Sequence, residues 1–186
     1  MVGSKTQAIL AGDPFAAGHD AATGEALWRV NWIGEAAVEL ASSPAFANGV
    51  AFFTTERAVL VAIKPGEEKP LWKYEGEFPN VSSPVATDKF VIVATAGGLV
   101  TCVDAATGNK LWTHEFDDGF DSSPIVVGER VYLMDKKGVT TIFKLSEKYE
   151  QLGRCELGEE CSCTPAFPQG RVYLRTKTSL ICIGKD

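Results

Sequence analysis

Basic residues are scarce in this sequence relative to acidic ones. The 186 residues include 18 lysines and arginines against 24 aspartates and glutamates, for a formal net charge of -6. A nucleic-acid surface needs clustered lysine and arginine to displace counterions from phosphates. No run of about five basic residues occurs either. The composition therefore argues against a nucleic-acid-binding protein.

Long apolar runs are also missing. The longest apolar stretches, such as residues 90–96, are far shorter than the ~20 residues that span a bilayer. The N-terminal segment MVGSKTQAILAG has neither the apolar region nor the small-residue cleavage site of a signal peptide. We therefore expect no membrane span and no signal peptide in this chain. The targeting segment of a longer parent protein would lie upstream.

Helical periodicity is a third absence. Apolar residues nowhere hold the i, i+3, i+4, i+7 spacing of an amphipathic helix across about 11 residues. The apolar residues instead form short β-branched and aromatic runs, such as residues 90–93 and 131–133, separated by turns that contain glycine. The pattern predicts an all-β fold with no long helix.

What the sequence does contain is a repeat. Ser-Ser-Pro occurs at residues 42–44, 82–84 and 122–124, and Cys-Thr-Pro follows at 163–165, so the prolines are spaced by 40, 40 and 41 residues. A fixed period of about 20 to 50 residues indicates a repeat architecture. About four short antiparallel strands per repeat match the blade of a β-propeller. Because proline cannot donate a ladder hydrogen bond, we expect each proline to be the first residue of a strand.

The repeat predicts one β-propeller domain with about four blades that is incomplete at both ends. A partial first blade spans residues 1–41, blades follow at 42–81 and 82–121, a degenerate blade covers 122–163, and a partial last blade covers 164–186. Open sheet edges at both ends would expose unpaired backbone groups. A homo-oligomer that pairs these edges is therefore one expectation.

Tryptophan recurs in register with the triplets. Three tryptophans lie ten residues after equivalent strand positions, namely Trp28, Trp72 and Trp112 after residues 18, 62 and 102. In the degenerate repeat, Leu152 takes this place after residue 142. Each tryptophan is expected to open the outer strand and to pack against the neighbouring sheet, so that it acts as a structural staple between blades.

A loop precedes two of these tryptophans and reads Asp-Ala-Ala-Thr-Gly at residues 20–24 and 104–108. The aspartate carboxylate can accept hydrogen bonds from backbone N–H groups two or three residues later. Gly24 and Gly108 are expected to adopt positive φ.

The combined pattern A-x-D-x-x-T-G-x-x-x-W, preceded by Ser-Ser-Pro, resembles the PQQ-like, or quinoprotein-type, β-propeller repeat. Members of that family usually close about seven or eight blades. The chain therefore resembles the C-terminal half of such a propeller, or it completes a ring with a second copy. The family includes pyrroloquinoline-quinone dehydrogenases and a periplasmic lipoprotein scaffold of outer-membrane protein assembly.

The resemblance leaves three functions open. The first is a non-catalytic scaffold or binding domain for protein or peptide partners, in a periplasmic or otherwise exported parent protein. The alternative is a portion of a quinone-dependent (PQQ) dehydrogenase whose active site lies in absent blades. The third is an accessory domain for carbohydrate or peptide processing. The resemblance implies two adjacent cysteines over the quinone in the enzymes, and this chain has no such pair. We therefore predict no catalytic, cofactor-binding or metal residues, and neither PQQ nor calcium as a cofactor.

The cysteines Cys155, Cys161 and Cys163 allow three interpretations. They could form a disulfide from Cys155 to Cys161 or Cys163, which suits an exported protein. They could belong to a metal site, although four ligands are not evident, or remain free thiols. Cys102 and Cys182 occupy matching strand positions and are expected to be core residues.

The segments just before each triplet are expected to gather at one end of the propeller axis. They contain acids and two phenylalanines, which suggests an acidic rim with aromatic anchors for a protein or peptide partner. The phenylalanines could equally fill gaps between blades. The candidate rim residues are Phe78, Asn80, Asp117, Asp118, Phe120, Asp121, Glu159 and Glu160.

Overall fold

The computed structural model describes residues 6–12, 14–33, 41–55, 59–77, 79 and 81–184. These residues form 17 β-strands in five antiparallel sheets, and no helix occurs among them. The described residues therefore form no helix that is long and apolar enough to cross a membrane. The predicted all-β fold is confirmed.

Each sheet is a meander in which consecutive strands pair with one another. We call the sheets blade 1 to blade 5 in chain order. Blade 1 contains β1 (Gln7–Ala11), β2 (Phe15–Asp20) and β3 (Ala26–Asn31). Blade 2 contains β4 (Ala45–Ala47), β5 (Val50–Thr54), β6 (Val59–Ile63) and β7 (Trp72–Glu75). Blade 3 contains β8 (Val85–Ala86), β9 (Phe90–Ala94), β10 (Leu99–Asp104) and β11 (Lys110–Glu115). Blade 4 contains β12 (Ile125–Val127), β13 (Arg130–Met134), β14 (Val139–Lys144) and β15 (Gln151–Glu156). Blade 5 contains β16 (Val172–Arg175) and β17 (Leu180–Ile183).

The hydrophobic core is divided among the interfaces between successive blades. In β5, Phe53 packs toward blade 1, whereas its neighbour Phe52 packs toward blade 3. This alternation follows from the period of two in a strand, which sends adjacent side chains to opposite faces. Both faces of a central blade are thereby buried, which explains the continuous apolar run Val59–Ile63 of β6. Sheets packed face to face in sequence order are the arrangement of propeller blades.

The repeated prolines lie just outside the strands. Pro44, Pro84 and Pro124 each come one residue before β4, β8 and β12. The expectation that they are the first strand residues is therefore wrong by one position. Pairing begins only with the following residue, as in the register of Ala45 with Phe52.

The second residue of each triplet links one blade to the next. The backbone N–H of Ser43 donates to the Ser83 hydroxyl, that of Ser83 to the Ser123 hydroxyl, and that of Ser123 to the Thr164 hydroxyl, each at 2.9 Å. These bonds join equivalent positions 40 or 41 residues apart. The repeated hydroxyl thus holds the beginnings of blades 2 to 5 together.

Candidate functional site

Two tryptophans form hydrogen bonds with the following blade. The Nε1–H of Trp72 donates to the carbonyl of Ala105 at 3.1 Å, and that of Trp112 donates to the carbonyl of Ser146 at 3.0 Å. Trp28 differs, because its Nε1–H donates to the Gln7 side chain within its own blade at 2.8 Å. Its ring nevertheless packs against the apolar cluster shared by blades 1 and 2.

The degenerate blade has no side chain at the tryptophan position. Ile142 of β14 pairs with Gly153, and the register shifts immediately beyond it, so Leu152 is a bulge residue that remains 47% exposed. Aligning Leu152 with the tryptophans is therefore wrong. Blades 1 and 3 have the same bulge, at Leu27 and Leu111, directly before their tryptophans. The loop of blade 4 is one residue longer, because Ile142 pairs with a residue 11 positions later whereas Cys102 pairs with one 10 positions later. The loop of this blade contributes Tyr149 to the interface with the preceding blade, where its ring centre lies 5.5 Å from that of Trp112.

The Asp-Ala-Ala-Thr-Gly loops have the predicted structure. The Asp104 carboxylate accepts hydrogen bonds from the backbone N–H groups of Ala106 and Thr107 and from the Thr107 hydroxyl. Gly108 has φ +74°. The hydroxyl bond from Thr107 and the two backbone bonds hold the pKa of Asp104 below its usual value. The loop prediction is confirmed for this copy, and Asp20 and Gly24 repeat the backbone geometry.

An open cleft of about 660 Å³ lies between blades 4 and 5, and we call it the interblade cleft. One part of its lining comes from the connections before the last two triplets, with Asp118, Asp121 and residues 160–163. The other part comes from turns within blades 4 and 5, at residues 136–137 and 175–177. The structure therefore brings three of the predicted rim acids, Asp118, Asp121 and Glu160, into one site.

The acids of the interblade cleft are paired with lysines. Asp118 lies 2.9 Å from Lys137, Asp121 lies 3.6 Å from Lys136, and Glu160 lies 3.8 Å from Lys177, measured between carboxylate oxygen and Nζ. The hydrogen bond and the charge of Asp118 raise the pKa of Lys137. The expectation of an acidic rim is therefore wrong for this part of the chain, because the lysines give the cleft charges of both signs.

These lysines were missed because they lie outside the segments that precede the triplets. A signal was nevertheless present, since Lys136 and Lys177 each follow the first residue of their own triplet by 14 positions. Residues at the same repeat position occupy the same place in successive blades, so both turns lie at the same end of the propeller. Applying the repeat register to the turns would have identified them.

Phe120 is not an exposed anchor. Its side chain is 1% exposed and belongs to the apolar cluster between blades 3 and 4, where its ring centre lies 5.2 Å from that of Phe116. The alternative, that phenylalanine fills a gap between blades, describes this residue. Phe78 and Asn80 lie outside the described residues. Asp117 is exposed and does not line the cleft. The Glu159 carboxylate accepts a hydrogen bond from the Thr178 hydroxyl, and this bond lowers the pKa of Glu159.

All five cysteines are free thiols. A disulfide through Cys155 is therefore not formed, because Cys155 is exposed on β15 whereas Cys161 and Cys163 line the cleft. Cys102 is a core residue as expected, and burial raises its pKa to about 12. Cys182 is exposed, so the expectation that it is a core residue is wrong. Among the described residues no strand pairs with the far edge of β17, where a fourth strand would cover this region.

Metal-ligating side chains do not cluster within the described ranges. No group of three or more histidine, cysteine, aspartate or glutamate side chains there could hold a metal ion. The two histidines have other contacts. His19 Nδ1 lies 3.1 Å from the carbonyl oxygen of Gly24, and the His114 ring stacks on Tyr149 with centres 3.8 Å apart.

Five sheets packed face to face define a PQQ-like β-propeller fold. Three of them are four-stranded meanders among the described residues, and two carry a tryptophan that is bonded to the following blade. The sequence model of the family described as "Outer membrane protein assembly factor BamB" matches residues 16–183. The chain belongs to this family.

Solved structures show the same fold. BamB from Moraxella catarrhalis is 17% identical, with a TM-score of 0.75 over 98% of this chain and 59% of that one. The computationally designed Ika8 protein is 13% identical, with a TM-score of 0.72 over 95% of this chain and 57% of that one. The designed Ika4 protein is 14% identical, with a TM-score of 0.66 over 84% of this chain and 97% of that one. No curated protein matches the chain. The chain spans less than two thirds of the length of BamB from Moraxella catarrhalis and of the Ika8 protein.

Proposed function

We propose that this chain is a non-catalytic part of a propeller scaffold, and that it binds an extended segment of a protein partner in the interblade cleft. The observation that carries the proposal is the cleft itself, which is open and combines acids with lysines from two blades. The family description, an assembly factor for outer membrane proteins, supports a protein partner and a periplasmic location for the parent protein.

The ion pairs of the cleft are suited to exchange with a partner. The side chains of Lys137 and Lys177 are 69% and 78% exposed. Exposed ion pairs contribute little to stability, commonly below about 1 kcal/mol, because water screens them. A partner that presents both charge signs can therefore replace them at little cost, and complementary charge then selects its register.

A scaffold role also agrees with the contacts of the repeated hydroxyl groups. The Ser42 hydroxyl lies 2.9 Å from that of Thr54, and the Ser122 hydroxyl donates to the carbonyl of Met134 at 2.6 Å. The hydroxyls of Ser83 and Ser123 accept hydrogen bonds from the preceding blade. A nucleophilic serine requires a histidine base within hydrogen-bond reach, and these four hydroxyls have structural partners instead. The Ser82 hydroxyl is 1% exposed and has no partner among the described residues. We therefore infer that the triplets serve the fold.

Peptide binding by charge-reversed variants tests the proposal. The probe is a fluorescein-labelled peptide that alternates apolar residues with lysine and glutamate, the pattern of a half-buried strand. Fluorescence anisotropy is expected to show saturable binding that weakens about tenfold in the double variant Lys137→Glu, Lys177→Glu, equivalent to about 1.4 kcal/mol. The matched control is the double variant Lys110→Glu, Lys148→Glu, which changes the same charge at two exposed residues outside the cleft and is expected to bind as the wild type does.

Two results would contradict the proposal. One is the absence of saturable binding by the wild-type chain at low ionic strength. The other is an equal loss of affinity in the cleft double variant and in the control double variant, which would indicate a general charge effect rather than a site between blades 4 and 5.

We also propose that unpaired strand edges mediate association with a second copy. Among the described residues, β1 pairs only with β2, and β17 pairs only with β16. The exposed apolar side chains Leu180 and Ile183 lie on β17. Light scattering over a range of concentrations is expected to show a dimer that dissociates on dilution, and a monomer at every concentration would contradict this.

A further inference from the structure

Two cysteines meet in the connection between blades 4 and 5. The Sγ atoms of Cys161 and Cys163 lie 3.4 Å apart. The same residue of β16 contacts both of them, because the Cys161 thiol donates to the carbonyl of Arg175 at 2.9 Å and the N–H of Arg175 donates to Cys163 Sγ at 3.1 Å. Both sulfurs are thus held side by side against the first strand of blade 5.

The two thiols have different surroundings. Cys161 is 4% exposed, and its burial raises its pKa. Cys163 is half-buried and lines the interblade cleft together with Lys136, Arg175 and Lys177. Cys163 is therefore the thiol that a molecule in the cleft can reach, whereas Cys161 is shielded. An accessible thiol beside a protected second thiol is the arrangement found in reversible redox pairs, in which the second thiol resolves the first adduct.

The surrounding ligands favour redox chemistry over a structural metal centre. A structural zinc site takes four ligands. No third histidine, cysteine, aspartate or glutamate in the described ranges joins these two sulfurs in a group that could hold a metal. The other described thiols lie elsewhere, on β10, β15 and β17. Each of the two sulfurs therefore has the other as its nearest reaction partner.

We propose that Cys161 and Cys163 form a reversible dithiol–disulfide pair that is oxidised by a disulfide-bearing molecule, small or protein, which enters through the interblade cleft. Cys163 is the attacking thiol and Cys161 the resolving thiol. The site is a modification site of the fold and does not depend on the peptide binding proposed above.

The reaction proceeds in two exchanges. The Cys163 thiolate attacks one sulfur of the incoming disulfide, the disulfide bond breaks, and the first thiolate leaves. Cys161 then loses its proton to solvent and attacks Cys163 Sγ, and the mixed disulfide breaks to release the second thiolate. The two cysteines lose two electrons and two protons in total, and the incoming disulfide is reduced to two thiols.

Oxidation changes the contact with blade 5. The Cys161 thiol hydrogen is lost, so the carbonyl of Arg175 no longer receives this donor. Arg175 is the last residue of β16 and lines the interblade cleft. The redox state of the pair is therefore expected to alter the position of this strand end relative to blade 4.

Mass spectrometry of the whole chain in glutathione redox buffers tests the proposal. After equilibration with oxidised and reduced glutathione, free thiols are alkylated and the chain is digested. We expect Cys161 and Cys163 to become protected together as one intramolecular disulfide, and to be recovered fully on return to reduced glutathione. This measurement uses the wild-type chain, so it does not depend on the folding of a variant.

Three variants assign the roles. Cys161→Ala is expected to stop at a glutathione adduct on Cys163, and Cys163→Ala to leave the buried Cys161 alkylatable only after unfolding. Cys155→Ala, the matched control, is expected to oxidise as the wild type does. The proposal is overturned if both thiols of the wild type stay free in a strongly oxidising buffer, if Cys155 is part of the disulfide, or if the adduct forms on Cys161 rather than Cys163.

Discussion

Gly108 lies directly against the indole ring of Trp72. A Cβ atom at position 108 would come within 2.6 Å of the Trp72 ring, and the backbone there has φ +74°. Gly108 belongs to the loop before β11 in blade 3, whereas Trp72 begins β7 in blade 2. The glycine of the Asp-Ala-Ala-Thr-Gly loop therefore has two functions, since it permits the turn and it makes room for the tryptophan of the preceding blade.

Gly108→Ala is expected to destabilise the protein more than Gly24→Ala. Gly24 occupies the same place in the first copy of the loop with φ +76°, but a Cβ there meets no atom of the described residues within 4 Å. Both variants bear the cost of about 1 kcal/mol for a left-handed side-chain residue, and Gly108→Ala adds about 1 to 3 kcal/mol from overpacking against Trp72. Urea denaturation measures the difference, and equal losses of stability would contradict the contact.

Ser83→Ala is expected to lower the free energy of unfolding by about 1 kcal/mol, because the backbone N–H of Ser43 loses its acceptor. The adjacent residue is the control. Ser82 is 1% exposed and its hydroxyl has no hydrogen-bond partner among the described residues, so Ser82→Ala is expected to be neutral or stabilising. Thermal or urea unfolding measures the free energy of unfolding of both variants relative to the wild type. A loss for Ser83→Ala that does not exceed that for Ser82→Ala would show that the interblade hydroxyl bond contributes little.

Asp104→Asn is expected to cost stability at neutral pH and to cost less as the pH falls. The folded-state pKa of Asp104 is lowered, first by the Thr107 hydroxyl. Its charged form therefore stabilises the fold above the unfolded-state pKa, and this contribution is lost as pH falls through the folded-state pKa. The effect stays below about 1 kcal/mol because the loop is exposed. Unfolding of both proteins between acid and neutral pH measures it, and a difference independent of pH would exclude a role for the charge. Asp88→Asn, in an exposed turn before β9, is the control.

Pyrroloquinoline quinone with calcium is expected to leave the melting temperature and the absorbance of the quinone unchanged. A ligand that binds only the folded state raises the melting temperature by an amount that grows with the ratio of its free concentration to its dissociation constant. Calorimetry with and without the two additives is the measurement, and magnesium in place of calcium controls for ionic effects. A specific rise with quinone and calcium together would favour the dehydrogenase alternative for this chain.

The repeat made the fold predictable. Several repeated residues have local properties that can be read from the sequence. Pro84 lacks an N–H donor, Trp72 places a large ring at the start of a strand, and Gly108 permits a positive φ. Because this chemistry recurs about every 40 residues, spacing alone indicated strands, turns and blades. The aspartate loop was predictable for the same reason, since its bonds join residues two or three positions apart.

The candidate site was less accessible to sequence reasoning. Phe120 and Asp118 are two residues apart, yet one fills the interface with blade 4 and the other faces the cleft. Cys161 and Cys163 were grouped with Cys155, although only the first two sulfurs meet. Lys137 was not considered, yet it lies 2.9 Å from Asp118.

The sequence by itself determined the all-β class, the blade period, the Asp-Ala-Ala-Thr-Gly loops and the tryptophan positions. Each of these depends on neighbours within a few residues or on simple repetition. Only the tertiary structure decided which charges pair, which phenylalanine is buried and which thiols meet. These outcomes depend on contacts between blades, because the neighbours of a residue in one blade belong to another blade that is distant in the sequence.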